Sequence, residues 1–521
     1  MSVTPMGALN TNGLVVPGLY VQIVPPQTII NGIPTDVVGV VGTASYGPVN
    51  TPVVAGSYAE FKQNFGDMVN RTWDMGTQVA KMAQQGAQNF RCVRVTDGTD
   101  TAATGAFPAA NVGTGNTLTL TAKYTGSWFS ANVNVVLSTG TKASTGKVSV
   151  LVAGFGTVET FDNIPLTNVA AFATAINSGI GLQGPSRWLV ASTTGTAAVT
   201  VVGATLGGAG TIAWTAGTDG TTTITSSILI GADTSPRTGM YTLRGQGASL
   251  LVLADMTDLT KATTVASFAD GEGIYAIMET AAGDTLSAAA TELSTAGLDD
   301  YGVKVCFGDW LDWYDAVNQV TRLTGPAAFV AGKLATLSPE QSSLNKKLVG
   351  IVASQKTSSG TNARWSAADK EVLFGARLDL VCNPSPGGGF WSAGLGHNSS
   401  SNAATSGDNY TRMTNYLAFT FNAAMGGYVG AVITPDLLNN IHATLAEFLS
   451  NLQAASMIAA FSVVCDTTNN PQSRTALGYV QADVQVQYLG INEKFLVNLQ
   501  GGTTVQIVSN GSVIAGAPAS A

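Results

Sequence analysis

The order of strand-like and helix-like segments constrains the fold of this chain more than any other feature. Val37–Thr43 is a continuous apolar run, as in a strand buried on both faces, and Phe90–Val95 is a second strand-like run. Between them the sequence predicts two helices, one starting at the N-cap residue Ser57 and one with an apolar stripe over Trp73–Gln85. Residues 31–97 therefore form a β-α-α-β unit, which is typical of a sheet covered by helices.

The same alternation resumes at Ser249 and continues to about residue 400. The predicted strands cover 249–255, 274–279, 303–307 and 377–383, and the predicted helices cover Leu259–Phe268, Thr285–Ser294, Gly325–Leu334 and Ser366–Gly375. Strands that alternate with helices indicate a parallel sheet with both faces covered.

The segment between these two parts has a different character. From Asp97 to about Gly231 the chain is rich in Thr, Gly, Ala and Val, and turn residues separate short alternating runs. These runs are Thr117–Ala122, Asn132–Leu137, Lys147–Val152, Ala198–Val202 and Thr222–Ile230, with one short helix at Val169–Asn177. The pattern predicts an inserted domain of β-sandwich or barrel type.

The C-terminal part begins with a loop-like stretch at 384–408 and two long amphipathic helices, which we expect at Asn409–Met425 and from Pro435 to about Ala460. Strand-like runs with a period of two then follow at Tyr479–Tyr488, Glu493–Gln500 and Thr503–Val508.

The expected fold class is therefore a multidomain α/β and α+β protein. Its expected parts are an N-terminal extended arm (1–30), a central α/β sheet domain (31–97 plus 238–400), an inserted all-β domain (98–237), a C-terminal α+β domain (401–500) and a C-terminal strand arm (501–521).

Both chain ends carry strands that are suited to pairing outside their own fold. Residues 1–16 show no periodicity, and a short strand with alternating Leu19, Val21 and Ile23 follows between prolines on both sides, so it must pair at an edge. The last strand hangs on Gly501-Gly502, which permits a tight turn or a flexible joint. An ordinary terminal hairpin explains this last pattern equally well.

Composition excludes some classes of function. Charged residues make up 11% of the chain, less than half of the roughly 25% of ordinary soluble domains, so a neutral surface favours association between copies. The net charge of −8 argues against a general nucleic-acid binder.

We expect no membrane insertion, because the longest apolar run, Met457–Cys465, is far shorter than the ~20 residues of a membrane span, and no signal peptide is recognisable. The scattered cysteines are expected to be buried free thiols of a reducing compartment: Cys92, Cys306, Cys382 and Cys465.

No motif predicts a catalytic, cofactor or metal site. His397 and His442 have no neighbour at ligand spacing, and there is no GxSxG elbow. Asp309, Asp312 and Asp315 could face a cation, but we expect them to be solvated beside a buried tryptophan. The glycine clusters at 39–44 and 387–389 lack the rest of a phosphate-binding motif, and we expect turns there. The sequence therefore favours a protein that is not an enzyme.

The order of several loose motifs resembles the tail sheath proteins of contractile bacteriophage tails and related contractile injection machines. LVVPGLYVQIVPP is similar to the N-terminal PGVYV segment of that family, and TDVVGVVGTASYGPVNTPVVAGSYAEFKQNFG with FRCVRV is similar to its first structured unit. GYVQADVQVQYLGINEKFLVNLQGGTTVQI resembles its C-terminal strands and arm. The chain departs from the family at FWSAGLGHNSS and keeps only Arg412 of an arginine-rich helix.

The resemblance implies a mechanical role. Subunits would form rings of six, stacked helically around a tail tube, and contraction would drive the tube through the host envelope for genome ejection. The implied partners are further copies of this chain, the tail tube protein, and baseplate and tail terminator proteins, with no cofactor and no direct contact with nucleic acid. The implied location is the virion tail, assembled in the host cytoplasm. The residues expected to exchange strands between subunits are Leu19, Val21, Ile23, Phe495, Val497, Leu499, Val505 and Ile507.

Two other functions stay open at this point. A virion decoration or capsid-associated structural protein would suit the Thr/Gly-rich insert, but it does not need strands at both chain ends. An enzyme with a doubly wound sheet, for example one acting on carbohydrates, would need titratable groups clustered at the carboxyl edge of that sheet.

Overall fold

The computed structural model describes residues 2–4, 20–22, 30–208, 210, 212–358, 364–499, 507–509 and 512–514. The chain divides into two compact units, a first unit of residues 1–489 and a second unit of residues 490–521. The five segments expected from the sequence stay a prediction.

The strands in chain order are β1 Ser2–Thr4, β2 Tyr20–Gln22, β3 Val37–Gly42, β4 Pro52–Ala55, β5 Asn89–Arg94, β6 Thr104–Phe107, β7 Thr117–Ala122, β8 Val133–Thr139, β9 Thr145–Val152, β10 Gly156–Pro165, β11 Leu189–Thr194, β12 Ala204–Leu206, β13 Leu250–Leu253, β14 Tyr275–Glu279, β15 Val303–Cys306, β16 Leu311–Asp315, β17 Val320–Thr324, β18 Ile351–Ser354, β19 Leu378–Asp379, β20 Val381–Cys382, β21 Ser392–Ala393, β22 Ile458–Val464, β23 Asp483–Tyr488, β24 Ile507–Ser509 and β25 Ser512–Ile514.

The α-helices are α1 Tyr58–Phe65, α2 Met75–Gln84, α3 Ala109–Val112, α4 Trp128–Asn132, α5 Ala170–Ser178, α6 Ser226–Ile230, α7 Ala262–Glu272, α8 Leu286–Ala296, α9 Ala327–Ala335, α10 Gln355–Ser358, α11 Ala367–Gly375, α12 Asp408–Met425, α13 Pro435–Ala454 and α14 Gln472–Thr475, with 3₁₀ turns at Gly239–Leu243, Leu259–Lys261 and Gly426–Tyr428.

A seven-stranded sheet with the order β19-β15-β14-β13-β3-β5-β4 organises the first unit. β4 runs antiparallel to its neighbour β5, whereas the other pairs are parallel. Every residue of β3, β13, β14 and β15 is buried, as expected for strands covered on both faces. The expected parallel, doubly covered sheet is thereby confirmed.

Alternate side chains of each strand enter separate cores on the two faces of this sheet. Val37 and Val41 of β3 pack with helices α7 and α8, while Val38 and Val40 pack with α1, α2 and α9. The period of two in a strand produces this division. The sheet is therefore the middle of three layers.

Two glycines expected in a turn lie inside β3 instead. A Cβ atom on Gly42 would lie 2.8 Å from the Cβ of Ala254, and one on Gly39 would lie 2.8 Å from a methyl carbon of Leu243. The expectation of a turn was wrong because these glycines permit close packing against the strand. The other glycine cluster does form a turn, between Ser385 and Gly388.

Residues 104–206 form two antiparallel sheets, β10-β9-β8-β12 and β11-β7-β6, whose buried side chains share one apolar core. The strands expected near 117–122, 132–137 and 147–152 are present, and so is helix α5. β10 and β11 were missed. No strand forms over 198–202, and 226–230 is helix α6 instead of a strand, because its Leu229 and Ile230 pack into a core of the central sheet.

Helices α12 and α13 pack with the two-stranded antiparallel sheet β22-β23 around a third core. α13 ends at Ala454, earlier than expected, because Ser456 adopts a left-handed conformation (φ 58°) and the chain reverses into β22. The apolar run after the helix is therefore a strand, which sequence periodicity alone does not distinguish from a continued helix.

The second unit contains less regular structure than expected. Residues 490–499 form neither helix nor strand, so the strand expected from Glu493 is wrong for the described residues. A strand requires a neighbouring strand along its edge, and none is paired with these residues in the described chain. Farther on, β24 and β25 pair as an antiparallel hairpin.

The N-terminal strand is present as β2, but its partner lies in the same chain. β2 pairs in parallel with β1, where we expected no regular structure. Leu19 and Ile23 lie outside the described residues.

The four cysteines are free and buried, as expected. Burial raises the pKa of the Cys92 thiol far above its usual value. In the part of the chain that the structure describes, no helix is both long and apolar enough to span a membrane.

Candidate functional site

Charged and polar groups do cluster at the carboxyl edge of the central sheet, where doubly wound enzymes bind their ligands. Thr43 follows β3, Asp255 follows β13, Glu279 ends β14 and Asp309 follows β15. The sequence did not indicate this cluster, because its members are spread over more than 260 residues of chain.

The groups of this cluster are engaged in holding the fold together. A Glu279 carboxylate oxygen accepts a hydrogen bond from the Ala327 amide at the start of α9 (2.8 Å). Asp255 accepts from the Trp73 amide (2.9 Å) and from the Gln78 side chain (2.7 Å). Glu279 and Asp309 are only 2% and 4% exposed, so a substrate could not reach them without opening the core. The arrangement therefore supports a structural role.

The spacing of Asp309, Asp312 and Asp315 does not put them on one face, and two of them are buried rather than solvated. β16 has a period of two, so Asp315 points inward while Asp312 points outward. Asp315 is paired with Arg322 (2.9 Å). Asp309 accepts from the Trp365 indole (2.7 Å). Among the described residues, no group of three or more potential ligands could hold a metal.

Asp74, at the same edge of the sheet, gives this region a measurable dependence on pH. It caps helix α2 by accepting from the Thr77 amide (2.8 Å), and burial raises its pKa to about 6 although Arg71 opposes the shift. A raised carboxyl pKa means that the folded state holds the proton more tightly than the unfolded chain does. This stabilisation is complete below pH 3.8, the ordinary value, and is lost as the pH rises through about 6.

Asp74→Asn is therefore expected to remove a pH-dependent loss of stability on the order of 3 kcal/mol between pH 4 and pH 7, because asparagine still caps the helix but does not ionise. Thermal or denaturant unfolding of both proteins at pH 4 and pH 7 measures this difference. If the stability of the variant relative to the parent does not rise with pH, the protonation of Asp74 in the fold is disproved.

A second buried network joins helix α12 to the central sheet. The ammonium of Lys304, on β15, lies 2.5 Å from Asp379 and 3.2 Å from Asp408, the first residue of α12. Tyr275 of β14 donates to Asp408 (2.6 Å), and Ser343 donates to it as well (2.5 Å). The carboxylates and Lys304 are at most 1% exposed.

Charge pairing dominates the ionisation of this network. Burial alone would lower the pKa of Lys304, but Asp379 and Asp408 raise it above its ordinary value. Burial raises and Lys304 lowers the pKa of Asp408, and the result is a pKa of about 2. Lys304 and Asp408 are therefore both charged at neutral pH, and their pairing fixes the start of α12 to the sheet.

An apolar groove of about 620 Å³, here called the terminal groove, lies beside strand β23. Its walls come from the end of α12, the segment 428–433, one face of α13 and residues 478–484. Its rim carries apolar side chains that are strongly exposed, among them Val429 (84%) and Tyr479 (65%). In the described chain β23 has β22 as its one neighbouring strand, so its other edge is unpaired, and Val484 of β23 lines the groove.

Sequence reasoning missed the terminal groove. The available signal was the run VGAVI at 429–433, which is apolar although it lies between two helices. Exposed apolar patches of this kind mark interaction surfaces.

The second unit carries an exposed apolar segment, which is complementary in chemistry to an apolar groove. Phe495, Leu496, Val497 and Leu499 are between 67% and 88% exposed. These four apolar side chains lie within five residues of each other and are not buried in a core in the described part of the second unit. Phe495, Val497 and Leu499 are strand-exchange residues expected from the sequence.

The other residues expected to exchange strands do not test that expectation. Val505 lies outside the described residues, as do Leu19 and Ile23. Val21 lies in β2 opposite Val3, and Ile507 lies in β24 opposite Ile514. The exchange of strands between subunits stays a prediction.

The two histidines lie on different elements of the first unit. His442 is exposed on α13, and the His397 backbone carbonyl accepts a hydrogen bond from Lys304 (3.1 Å).

Several solved structures share this fold. The sheath tail protein from Desulfitobacterium hafniense is 16% identical, with 87% of this chain and 94% of that chain covered at a TM-score of 0.56. The sheath tail protein from Listeria innocua is 14% identical, with 85% and 90% covered at a TM-score of 0.58. The helical sheath of the anti-feeding prophage in its contracted state is 10% identical, with 94% and 99% covered at a TM-score of 0.52.

No family model and no curated protein matches the chain by sequence. The structural likeness nevertheless extends over 85% or more of the chain. The chain therefore has the fold of the sheath tail proteins and of the contractile injection sheaths.

Proposed function

We propose that this chain is a structural subunit of a contractile sheath and that copies of it polymerise by exchanging strands at their ends. The observation that carries the proposal is the exposed apolar segment 495–499, which is accompanied by an open strand edge and an apolar groove in the first unit.

Burial of this segment would supply the driving force. Complete burial of one large apolar side chain contributes about 1.5–3 kcal/mol, so the four side chains together represent a substantial gain that the isolated chain does not realise. Extended backbone would add main-chain hydrogen bonds along the open edge of β23. The segment 495–499 of one copy is thus a suitable occupant for the terminal groove of another.

Strand addition suits a sheath that contracts. Its main-chain hydrogen bonds persist while the connected domains rotate as rigid bodies, so subunits stay joined between two arrangements. We further propose the phage-tail form of this function: rings of six around a tail tube, ended by baseplate and terminator proteins in the virion, that contract to drive the tube through the host envelope for genome ejection. The resemblance of the sequence motifs to phage sheaths supports this form.

Val429→Asp tests the terminal groove. Because Val429 is 84% exposed, the charge should change the stability of the isolated chain by less than about 0.5 kcal/mol. A buried unpaired carboxylate is costly, so assembly should weaken at least tenfold. Sedimentation of polymer as a function of protein concentration measures this effect.

Leu182→Asp is the matched control, because Leu182 is fully exposed in the two-sheet region and does not line the groove. Equal loss of assembly in both variants, or normal assembly of Val429→Asp, would show that the groove is not an interface.

Negative-stain electron microscopy of the protein expressed alone tests the function itself. We expect hollow tubes of uniform width with helical striations. Monodisperse particles that stay monodisperse on co-expression with a tube protein would contradict the sheath and favour the decoration protein.

A further inference from the structure

A polar cleft of about 540 Å³, distinct from the terminal groove, lies where the 46–53 loop and helix α1 meet the two-sheet region. Its volume falls within the roughly 300–1,000 Å³ of pockets that bind small organic molecules. Gln63 and Asn64 of α1 line one side, and Lys123 and Arg187 line the other. Neither the sheath fold nor the strand exchange explains this cleft.

Aromatic rings form one wall of the cleft. Tyr46 stacks on Trp188, with ring centroids 5.8 Å apart and an interplanar angle of 10°, and Tyr124 meets Tyr46 edge-on at 5.7 Å. Tyr46 and Trp188 are nearly buried, whereas Tyr124 is partly exposed beside the cleft. The negative face of an exposed aromatic ring attracts the weakly positive C–H groups of a sugar ring.

A buried hydroxyl of this wall lacks a partner. The Tyr46 side chain is 2% exposed, and its oxygen has no hydrogen-bond partner among the described residues. Leaving such a group unsatisfied is unfavourable, and a polar molecule at the wall would offset that cost.

The charges of the cleft favour an anion. The exposed Arg187 guanidinium makes no ion pair or hydrogen bond within the described chain, and the Lys123 ammonium makes one long contact, to the Ser186 carbonyl (3.3 Å). Glu159 is the single carboxylate among the described lining residues. It is 5% exposed and accepts hydrogen bonds from the Ser186 hydroxyl (2.6 Å) and the Arg187 amide (2.7 Å), so it does not neutralise the two cations directly.

We propose that this cleft binds an acidic sugar. The sugar ring packs against Tyr124, the side-chain amides of Gln63 and Asn64 bind its hydroxyls, and Arg187 and Lys123 bind its carboxylate. Guanidinium and carboxylate form strong paired hydrogen bonds. In a chain of net charge −8, an unpaired guanidinium and an ammonium held by a single carbonyl lie beside aromatic rings and amides, and this combination suits an acidic sugar.

Titration of the full-length protein with glucuronic acid and N-acetylneuraminic acid, followed by saturation-transfer NMR, tests the proposal. Glucose and inorganic phosphate are titrated in parallel. We expect an acidic sugar to bind at least tenfold more tightly than either comparison compound. Arg187→Ala should weaken binding about tenfold and Gln63→Ala about threefold, as expected for a charged and a neutral hydrogen bond.

Both substituted side chains are exposed, so the variants should fold normally. Lys142→Ala removes an exposed cation of the two-sheet region away from the cleft and should leave binding unchanged. Absence of binding by both acidic sugars overturns the proposal. If phosphate binds as tightly as the acidic sugars and Gln63→Ala does not weaken its binding, the cleft is a site for anions in general and the proposal fails. If Lys142→Ala weakens sugar binding as much as Arg187→Ala does, the attraction is unspecific and the proposal fails as well.

Discussion

Deletion of residues 490–521 is expected to abolish assembly into tubes while the first unit keeps its stability. Residues 1–489 form a compact unit of their own, so their melting temperature should stay within about 1 °C of the full chain, a change that corresponds to about 1 kcal/mol for a unit of this length. The deletion removes the exposed apolar segment that we propose to bind the next copy. Calorimetry and electron microscopy of the same preparation measure both effects.

A full-length variant separates the loss of the apolar side chains from the loss of chain length. Phe495→Asp, Val497→Asp and Leu499→Asp combined should abolish tubes as completely as the deletion does, because all three side chains are exposed in the isolated chain and tolerate charge there. Tubes formed by either protein would refute strand exchange through this segment.

Lys304→Met is expected to destabilise the first unit by about 3–5 kcal/mol. The substitution leaves Asp379 and Asp408 as buried carboxylates without a counter-ion, and removal of one partner from a buried ion pair costs this much. Because Asp408 begins helix α12, we expect the C-terminal helices to lose their protection in hydrogen exchange before the rest of the fold.

Lys62→Met is the matched control, because the Lys62–Asp67 pair has the same distance of 2.5 Å but its side chains are 41% and 25% exposed. Surface pairs contribute about 0–1 kcal/mol, so this variant should be nearly neutral. Adding Asp379→Asn and Asp408→Asn to Lys304→Met should recover part of the lost stability, because no uncompensated charge then remains. A neutral Lys304→Met would show that the network does not hold the helix to the sheet.

Such a network has a mechanical consequence for the proposed sheath. A contracting subunit must transmit motion without unfolding, and charged groups buried at a junction allow few alternative packings. We expect the junction of α12 and the sheet to move as one body, with the movement between copies taken up at the exchanged strands.

The criterion set for an enzyme with a doubly wound sheet, titratable groups clustered at the carboxyl edge, does not by itself indicate a catalytic site here. Titratable groups do meet at the carboxyl edge of the sheet, but Glu279 and Asp309 are buried and hold helices and loops in place. Clustering alone is therefore not sufficient, since a catalytic group must also be reachable by a substrate.

The sequence by itself determined the parts whose pattern is local. Three features depend only on residues that are close in sequence: the buried run of β3, the N-cap of α1 at Ser57, and the apolar stripes of α12 and α13. The Ser57 side chain, for example, accepts a hydrogen bond from the Glu60 amide. The spacing of Phe495, Val497 and Leu499 predicted a strand that is absent from the described residues, and their role in strand exchange stays a prediction.

Only the tertiary structure decided the parts that depend on distant residues. Leu229 and Ile230 form a helix because a core formed by other elements receives them, and Asp315 is buried because Arg322 lies beside it on the next strand. The terminal groove and the Lys304 network join segments separated by many tens of residues. The periodicity of the sequence shows which residues share a face of one helix or strand. Burial and charge pairing depend on which residues of other elements the fold places against that face.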